Sequence, residues 1–370
     1  MRRVRKVRKV RLSFAIVSLA LVMAIPPTSA GAMGAPCRAT DLRTKAVYEG
    51  AGSNLQSAID AAGRGTRLRV RGVCVGTFVI AKNLKLVGYP TVAYPTPTLD
   101  GNASGTVLTV SKRYASVTLR NLTITGGRST RGGGIYNLGT LTLLGSTSVS
   151  ANSAAEVGGG IYNEGSNTVG GTLALHDTAQ VNDNVATNGG GGIMNYGTVS
   201  LHDDAMVSGN SVHSGGGISN YWGTLALHDS AQVSGNTADW YGGGIINYQG
   251  TLTLDGSSLV TGNTAEAGGG IENRTDGGGD LILDDSASVT GNTAVYYGGG
   301  INTSAAIGVC HGPGSFWVGA ISPNTPDDPP TPTLITCEPT WQTSRVTVPV
   351  VVSETGLEPA RPVRGTRPST

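Results

Sequence analysis

The sequence predicts an all-β fold, a right-handed parallel β-helix (a solenoid) of about ten coils with a short N-terminal capping helix. Three observations predict it. The string Gly-Gly-Gly-Ile recurs with its isoleucine at Ile135, Ile161, Ile193, Ile218, Ile245, Ile271 and Ile301, in steps of 26, 32, 25, 27, 26 and 30 residues. A fixed period of this length marks a stacked-repeat architecture. Each repeat reads GGGIxN, then GTLxL, then VSGN, three β-prone runs separated by Gly, Asn, Asp and Ser. Inside the runs apolar residues alternate with polar ones, and no segment holds them at the i, i+3, i+4 spacing of a helix.

The chain opens with seven basic residues, Arg2, Arg3, Arg5, Lys6, Arg8, Lys9 and Arg11, followed by the apolar run Leu12–Ile25 and the small residues Thr28-Ser29-Ala30-Gly31-Ala32. That order predicts a secretory signal peptide over residues 1–32. The apolar run has 14 residues, short of the ~20 that span a bilayer, so no integral membrane domain is expected after cleavage. The whole chain carries 26 Lys and Arg against 24 Asp and Glu; removing the seven leader cations leaves 19 against 24, near −5. The basic balance therefore belongs to targeting, and a nucleic-acid partner is not expected. Secreted, extracellular or cell-surface localisation is the expectation.

Residues 33–62 are expected to cap the open end of the tube. NLQSAIDAA, residues 54–62, places Leu55, Ala58, Ile59 and Ala62 on one face of a short helix, which covers apolar edges that would otherwise aggregate. The repeats then run over 63–309. In the GTLxL run, Leu141/Leu143 recur as Leu173/Leu175, Val199/Leu201, Leu225/Leu227, Leu252/Leu254 and Leu281/Leu283. In the third run Val149 recurs as Val181, Val207, Val233, Val260 and Val289. Coils stacked at about 4.8 Å turn these columns into aliphatic ladders inside a tube. Two asparagine columns, Asn137 to Asn273 and Asn152 to Asn292, read as corner residues whose amides bond from coil to coil. The glycine runs read as corners too.

Residues 310–345 are expected to form a disulfide-closed C-terminal cap, and 346–370 a disordered tail. Four cysteines in an exported chain favour disulfides. Three connectivities are possible; Cys37–Cys74 and Cys310–Cys337 are chosen because each pair flanks one end of the repeat array.

The stretch LQSAIDAA…LRVRGVCVGTFVIAKNLKLVG…TLDG…VTLRNLTITGG resembles the entry coils of the pectin-lyase-like β-helix superfamily. The repeats GGGIYN…SGNTA resemble passenger repeats of chlamydial polymorphic outer-membrane proteins. The resemblance covers about residues 50–305 and implies a secreted or surface-displayed, adhesin-like protein that binds extracellular glycans or host and envelope surface proteins. Its alternative is a carbohydrate-active enzyme, a polysaccharide lyase or glycoside hydrolase. The sequence departs from both patterns: no transmembrane barrel follows residue 305, and the superfamily's catalytic signatures NTD, GHG, RIK and RxPxxR are missing.

No catalytic residue and no cofactor is nominated. Glycoside hydrolysis needs two carboxylates flanking the scissile bond, but the pairs Asp203-Asp204 and Asp284-Asp285 fall at a corner that also holds Asp177 and Asp229. The candidate ligand-binding residues are Tyr196, Tyr221, Trp222, Trp240, Tyr241 and Tyr248, near the glycine corner of successive coils and suited to stacking on sugars or partner side chains. No metal site is nominated, except that His176, His202 and His228 recur in one outward column and offer a weak transition-metal alternative.

Overall fold

The computed structural model describes residues 36–309, apart from 51–52, 93–94, 166–169, 275–279 and 304–307. The expected signal peptide, the Cys310–Cys337 bridge, the C-terminal cap and the tail lie outside the described residues. Within them the chain is a parallel β-solenoid, and its one helix is Ser53–Ala61. It completes about eight turns rather than about ten. The first strands, Cys37–Asp41 and Val47–Gly50, make an antiparallel hairpin on the edge of the first coil instead of a coil of their own.

Each full coil has four strands, one more than the three runs read from the sequence. The coil that starts at Ile218 shows them: Ile218–Tyr221, Thr224–Leu227, Gln232–Ser234 and Thr237–Tyr241. Stacking builds a nine-stranded isoleucine sheet, a twelve-stranded leucine sheet, a nine-stranded valine sheet and a seven-stranded fourth sheet. The fourth hides in the sequence because its inward residues are Ala154, Ala186, Val212, Ala238, Ala265 and Ala294, mostly too small to read as core.

Like stacks on like without slippage in the first three sheets. Ile218 pairs with Ile245, Leu225 with Leu252 and Val233 with Val260, and all six are fully buried. The asparagine columns form continuous amide ladders. Asn195 Nδ2 donates to Asn220 Oδ1 at 2.7 Å and Asn220 Nδ2 to Asn247 Oδ1 at 2.7 Å. In the second ladder Asn210 Nδ2 donates to Asn236 Oδ1 and to the Val181 carbonyl. These buried amides are bonded rather than orphaned, which is what makes a polar column tolerable inside the tube.

The first glycine of each triplet is left-handed, as at Gly242 (φ 63°), where a Cβ would stand 2.5 Å from the Ile245 carbonyl oxygen. No side chain fits there, so the corner is closed to substitution. At the entry, Leu55, Ala58, Ile59 and Ala62 of the capping segment are buried as expected. Lys82 Nζ donates to the carbonyls of Asp60 and Ala62 at 2.8 and 2.7 Å, satisfying the helix C-terminus. Cys37 and Cys74 are disulfide-bonded, tying the hairpin to the first coil.

Candidate binding strip

The corner between the isoleucine and leucine sheets gathers most of the predicted aromatic residues. Tyr196, Tyr221 and Tyr248 follow their isoleucines by three residues and meet in sequence, Tyr196–Tyr221 at 6.1 Å and Tyr221–Tyr248 at 5.2 Å between ring centroids. Trp222 stands over this row, 6.1 Å from Tyr196 and 6.0 Å from Tyr248. Two residues the sequence reading passed over extend the row: Tyr136 and Tyr162 stack at 5.1 Å, and Tyr162 lies 5.8 Å from Tyr196. Their signal was present in GGGIYN, because strand alternation sends the residue after an inward isoleucine outward. Five tyrosines therefore make one strip crossing five coils.

Trp222 is 61% exposed, and its backbone is left-handed at φ 54°. A left-handed conformation costs a bulky residue about 1–2 kcal/mol relative to glycine. Gln249, at the same corner one coil on, is left-handed as well (φ 53°), and its Oε1 accepts the Trp222 indole N–H at 2.6 Å. The indole is thus held in place over the tyrosines while much of it faces water.

Four of the hydroxyls along the strip, those of Tyr136, Tyr162, Tyr196 and Tyr221, are held in their protonated form. Burial pushes the Tyr196 phenol up to about 12, helped by its neighbours Tyr162 and Tyr221. Burial also raises Tyr162 and Tyr221, with Arg131 and Arg274 respectively pulling the other way. Tyr136 is raised by burial and by its bond to the Glu164 carboxylate.

Arg274 closes the far end. It pairs in register with Tyr248, and its guanidinium lies 3.7 Å from the centre of the Tyr241 ring. Its Nε donates to the buried Glu272 at 2.9 Å. Tyr241 joins the strip only through this arginine. Trp240 does not join it: it stacks on His213 at 5.1 Å, and the His213 ring bonds Asp239. The predicted set thus divides into a strip and an outlying patch.

The histidine column is real and tightly stacked. His176–His202 and His202–His228 centroids lie 4.5 and 4.7 Å apart, with ring planes 5° and 20° from parallel. His228 Nδ1 bonds the Asp255 carboxylate at 2.8 Å, and His176 and His202 lean toward Asp203 and Asp229 at 3.6 and 3.9 Å. Rings stacked face to face point their nitrogens side by side rather than at a common centre. Among the described residues no three His, Cys, Asp or Glu side chains are grouped to hold a metal ion. Burial, followed by the neighbouring His176 and His228, lowers the His202 pKa.

The acidic corner column is a brace. Asp203 Oδ2 accepts the Asp177 amide at 2.9 Å, and Asp229 Oδ2 accepts the Asp203 amide at 3.1 Å. Asp177, Asp203 and Asp229 are all left-handed (φ 58°, 55° and 57°), which aspartate tolerates better than most residues. These carboxylates tie the corner of one coil to the corner of the next.

No protein-family model, no curated protein and no solved structure matches the chain.

Proposed function

We propose that the protein is a secreted or cell-surface, adhesin-like solenoid that binds an extended glycan along the tyrosine strip without cleaving it. The pectin-lyase-like and polymorphic-outer-membrane-protein resemblance of its sequence belongs to the same reading, and so does export by a signal peptide. One observation carries it: Trp222, mostly exposed, is held in a left-handed conformation directly over a row of tyrosines. Strain retained at an exposed aromatic points to use rather than to packing. Tyrosine and tryptophan offer an apolar ring with a polar handle, the combination that recognises a sugar's C–H face and its hydroxyls. A linear polymer lying along the solenoid axis would meet an accessible ring on every coil but that of the buried Tyr162, so weak contacts accumulate as avidity.

The test is binding of the repeat protein to a panel of immobilised glycans, beside assays for reducing or unsaturated ends. Trp222→Asn relieves the left-handed strain, so it is expected to weaken glycan binding about 2–12-fold, the value of one ring contact of about 0.5–1.5 kcal/mol, without lowering the melting temperature. Trp240→Ala, off the strip, is expected to leave binding unchanged. Product formation that survives repurification supports the carbohydrate-active-enzyme alternative instead. Binding to a surface protein alone, lost in the same variant, makes the ligand a polypeptide and overturns the glycan assignment.

A further inference from the structure

The outer face of the leucine sheet carries opposite charge at its two ends. At the entry, Arg67 pairs in register with Lys85, and Arg69 with Val87, which pairs in turn with Arg120. At the other end Asp203, Asp229, Asp255 and Asp284 sit just past the strands Thr198–Leu201, Thr224–Leu227, Thr251–Leu254 and Asp280–Leu283. The whole molecule shares this polarity: residues 36–131 carry fourteen Lys and Arg against four Asp and Glu, and residues 132–303 carry one against fifteen. Between the ends the outward residues are small. Thr142, Ala174, Ser200, Ala226 and Thr253 form one column in register, each partly exposed. Among the described elements none forms a covering layer over this face.

Most of this charge is uncompensated within the chain. Where the two ends meet they pair, Arg120 Nη1 with Asp177 Oδ2 at 3.4 Å. Among the described residues no other ion pair engages the cations Arg67, Arg69 and Lys85, and none engages Asp284. Asp203, Asp229 and Asp255 pair only with histidine rings. A bare sheet face with opposite charge at its ends is complementary to itself once turned end for end.

We infer that this face is a twofold interface between two antiparallel copies of the chain. Such an interface sets one patch against itself and makes every contact twice. With the axis parallel to the strands, between Thr140–Leu144 and Thr172–Leu175, the order of the sheet decides which rungs meet. The rung of Arg120 faces that of Asp203 in the second copy, the rung of Lys85 that of Asp229, and the rung of Arg69 that of Asp255. This axis also keeps late strand positions facing late strand positions, where Arg69, Arg120 and the aspartates all lie. The small central residues let the sheets approach to about 10 Å, and the long arginine and lysine stems bridge the ends. From Cys37–Asp41 to Asp280–Leu283 the sheet has ten strands. At ~4.8 Å per step and ~15 Å per strand this face measures roughly 650 Å², close to the about 800 Å² per partner of a standard interface. Tyr221 and Trp222 precede their leucine strand, whereas the aspartates follow theirs. The tyrosine strip therefore runs along the opposite rim, and the inference is independent of it.

The test is sedimentation equilibrium of the whole protein at pH 8 in 50 and 500 mM NaCl. A dimer is expected at 100 µM in low salt, with its dissociation constant rising at least 10-fold in high salt as the charges are screened. Arg69→Glu and Asp255→Lys should each weaken the dimer at least 10-fold, because symmetry places two like-charge contacts in every pair. Neither position is left-handed, so neither substitution strains a turn. Mixing the two variants should restore the dimer, since Glu at 69 of one copy then meets Lys at 255 of the other. The salt dependence of the native protein decides the matter even where a variant fails to fold. A native monomer at 100 µM in 50 mM NaCl overturns the inference, as does a dimer indifferent to salt or a mixture of folded variants that stays monomeric. Open-ended polymers overturn the twofold geometry. A native protein that stays monomeric yet binds heparin or anionic vesicles assigns the basic end to that partner instead.

Discussion

The entry coils and the repeat coils solve the same packing problem with different chemistry. From residue 36 to 131 the core is assembled from unlike parts: Phe78, a helix carrying Leu55 and Ile59, and the Cys37–Cys74 bridge. From 132 to 303 it is one rung repeated, with isoleucine on isoleucine and asparagine on asparagine. The surface charge changes with the core. The entry segment has fourteen Lys and Arg against four Asp and Glu; the repeat segment has one against fifteen. Polar satisfaction divides the same way. Of the four buried side-chain atoms without a bond among the described residues, Arg38 Nε, Thr66 Oγ1 and Arg71 Nε lie in the entry coils and only Ser258 Oγ in the repeats. Repetition satisfies a rung by copying its neighbour, whereas singular rungs leave groups over. In this solenoid the singular features therefore sit where the copying fails, in the entry coils and at the exposed Trp222.

The comparison breaks most violently inside a ladder. Leu227→Asp places an uncompensated charge between Leu201 and Leu254, in a column that is buried from Leu68 to Leu283. Loss of the leucine alone costs about 2–5 kcal/mol, and the buried carboxylate adds to it, so a total above about 5 kcal/mol is expected in urea unfolding. His228→Ala, the next residue and half-exposed, should stay within about 0.5 kcal/mol of the native protein. Equal shifts for the two would contradict the inward–outward phase of the leucine sheet.

The entry coils are held by a covalent device that the described repeats lack. The Cys37–Cys74 bridge closes a loop with a sequence separation of 37 residues, worth about 4 kcal/mol on the loop-entropy estimate. Reduction should therefore lower stability by about that much and speed amide exchange in residues 37–75 before residues 190–270. Uniform acceleration along the chain would mean that the two regions unfold as one unit.

The repeats made most of this legible in advance. Seven copies of Gly-Gly-Gly-Ile fixed the isoleucine column, and the Leu and Val columns followed by alternation, because identical residues at identical spacing leave one register. The fourth sheet escaped since alanine carries little hydrophobic signal, although Ala238 and Ala265 are buried. The aromatic strip was half legible. Tyr221 and Tyr248 share a column, but Tyr136 and Tyr162 sit two residues earlier in theirs, and only the folded corner joins the columns. Trp240 was misjoined because proximity to a glycine corner does not say which side of it a ring occupies.

The smallest effect sharpens the comparison through pH, because His176, His202, His213 and His228 all lie in the repeat coils. Burial and the flanking imidazoles hold the His202 pKa below its ordinary value of 6.5. The unfolded chain therefore takes up this proton more readily than the folded one. Its contribution to stability is complete above pH 6.5, declines as the pH falls below that value, and levels off once the folded imidazole is protonated too. His202→Gln removes the titration while keeping a polar side chain in the stack. Between pH 7.5 and 5 the native protein should lose stability relative to H202Q, by less than disulfide reduction costs. Taking the difference between the two proteins cancels the carboxylates common to both. Exchange protection at the repeat amides near 202 should follow the same trend, with residues 55–86 unaffected. Parallel pH curves for the native protein and the variant would show that the stacked imidazoles carry no coupled charge, leaving the column as a spacer between the leucine sheet and its aspartate brace.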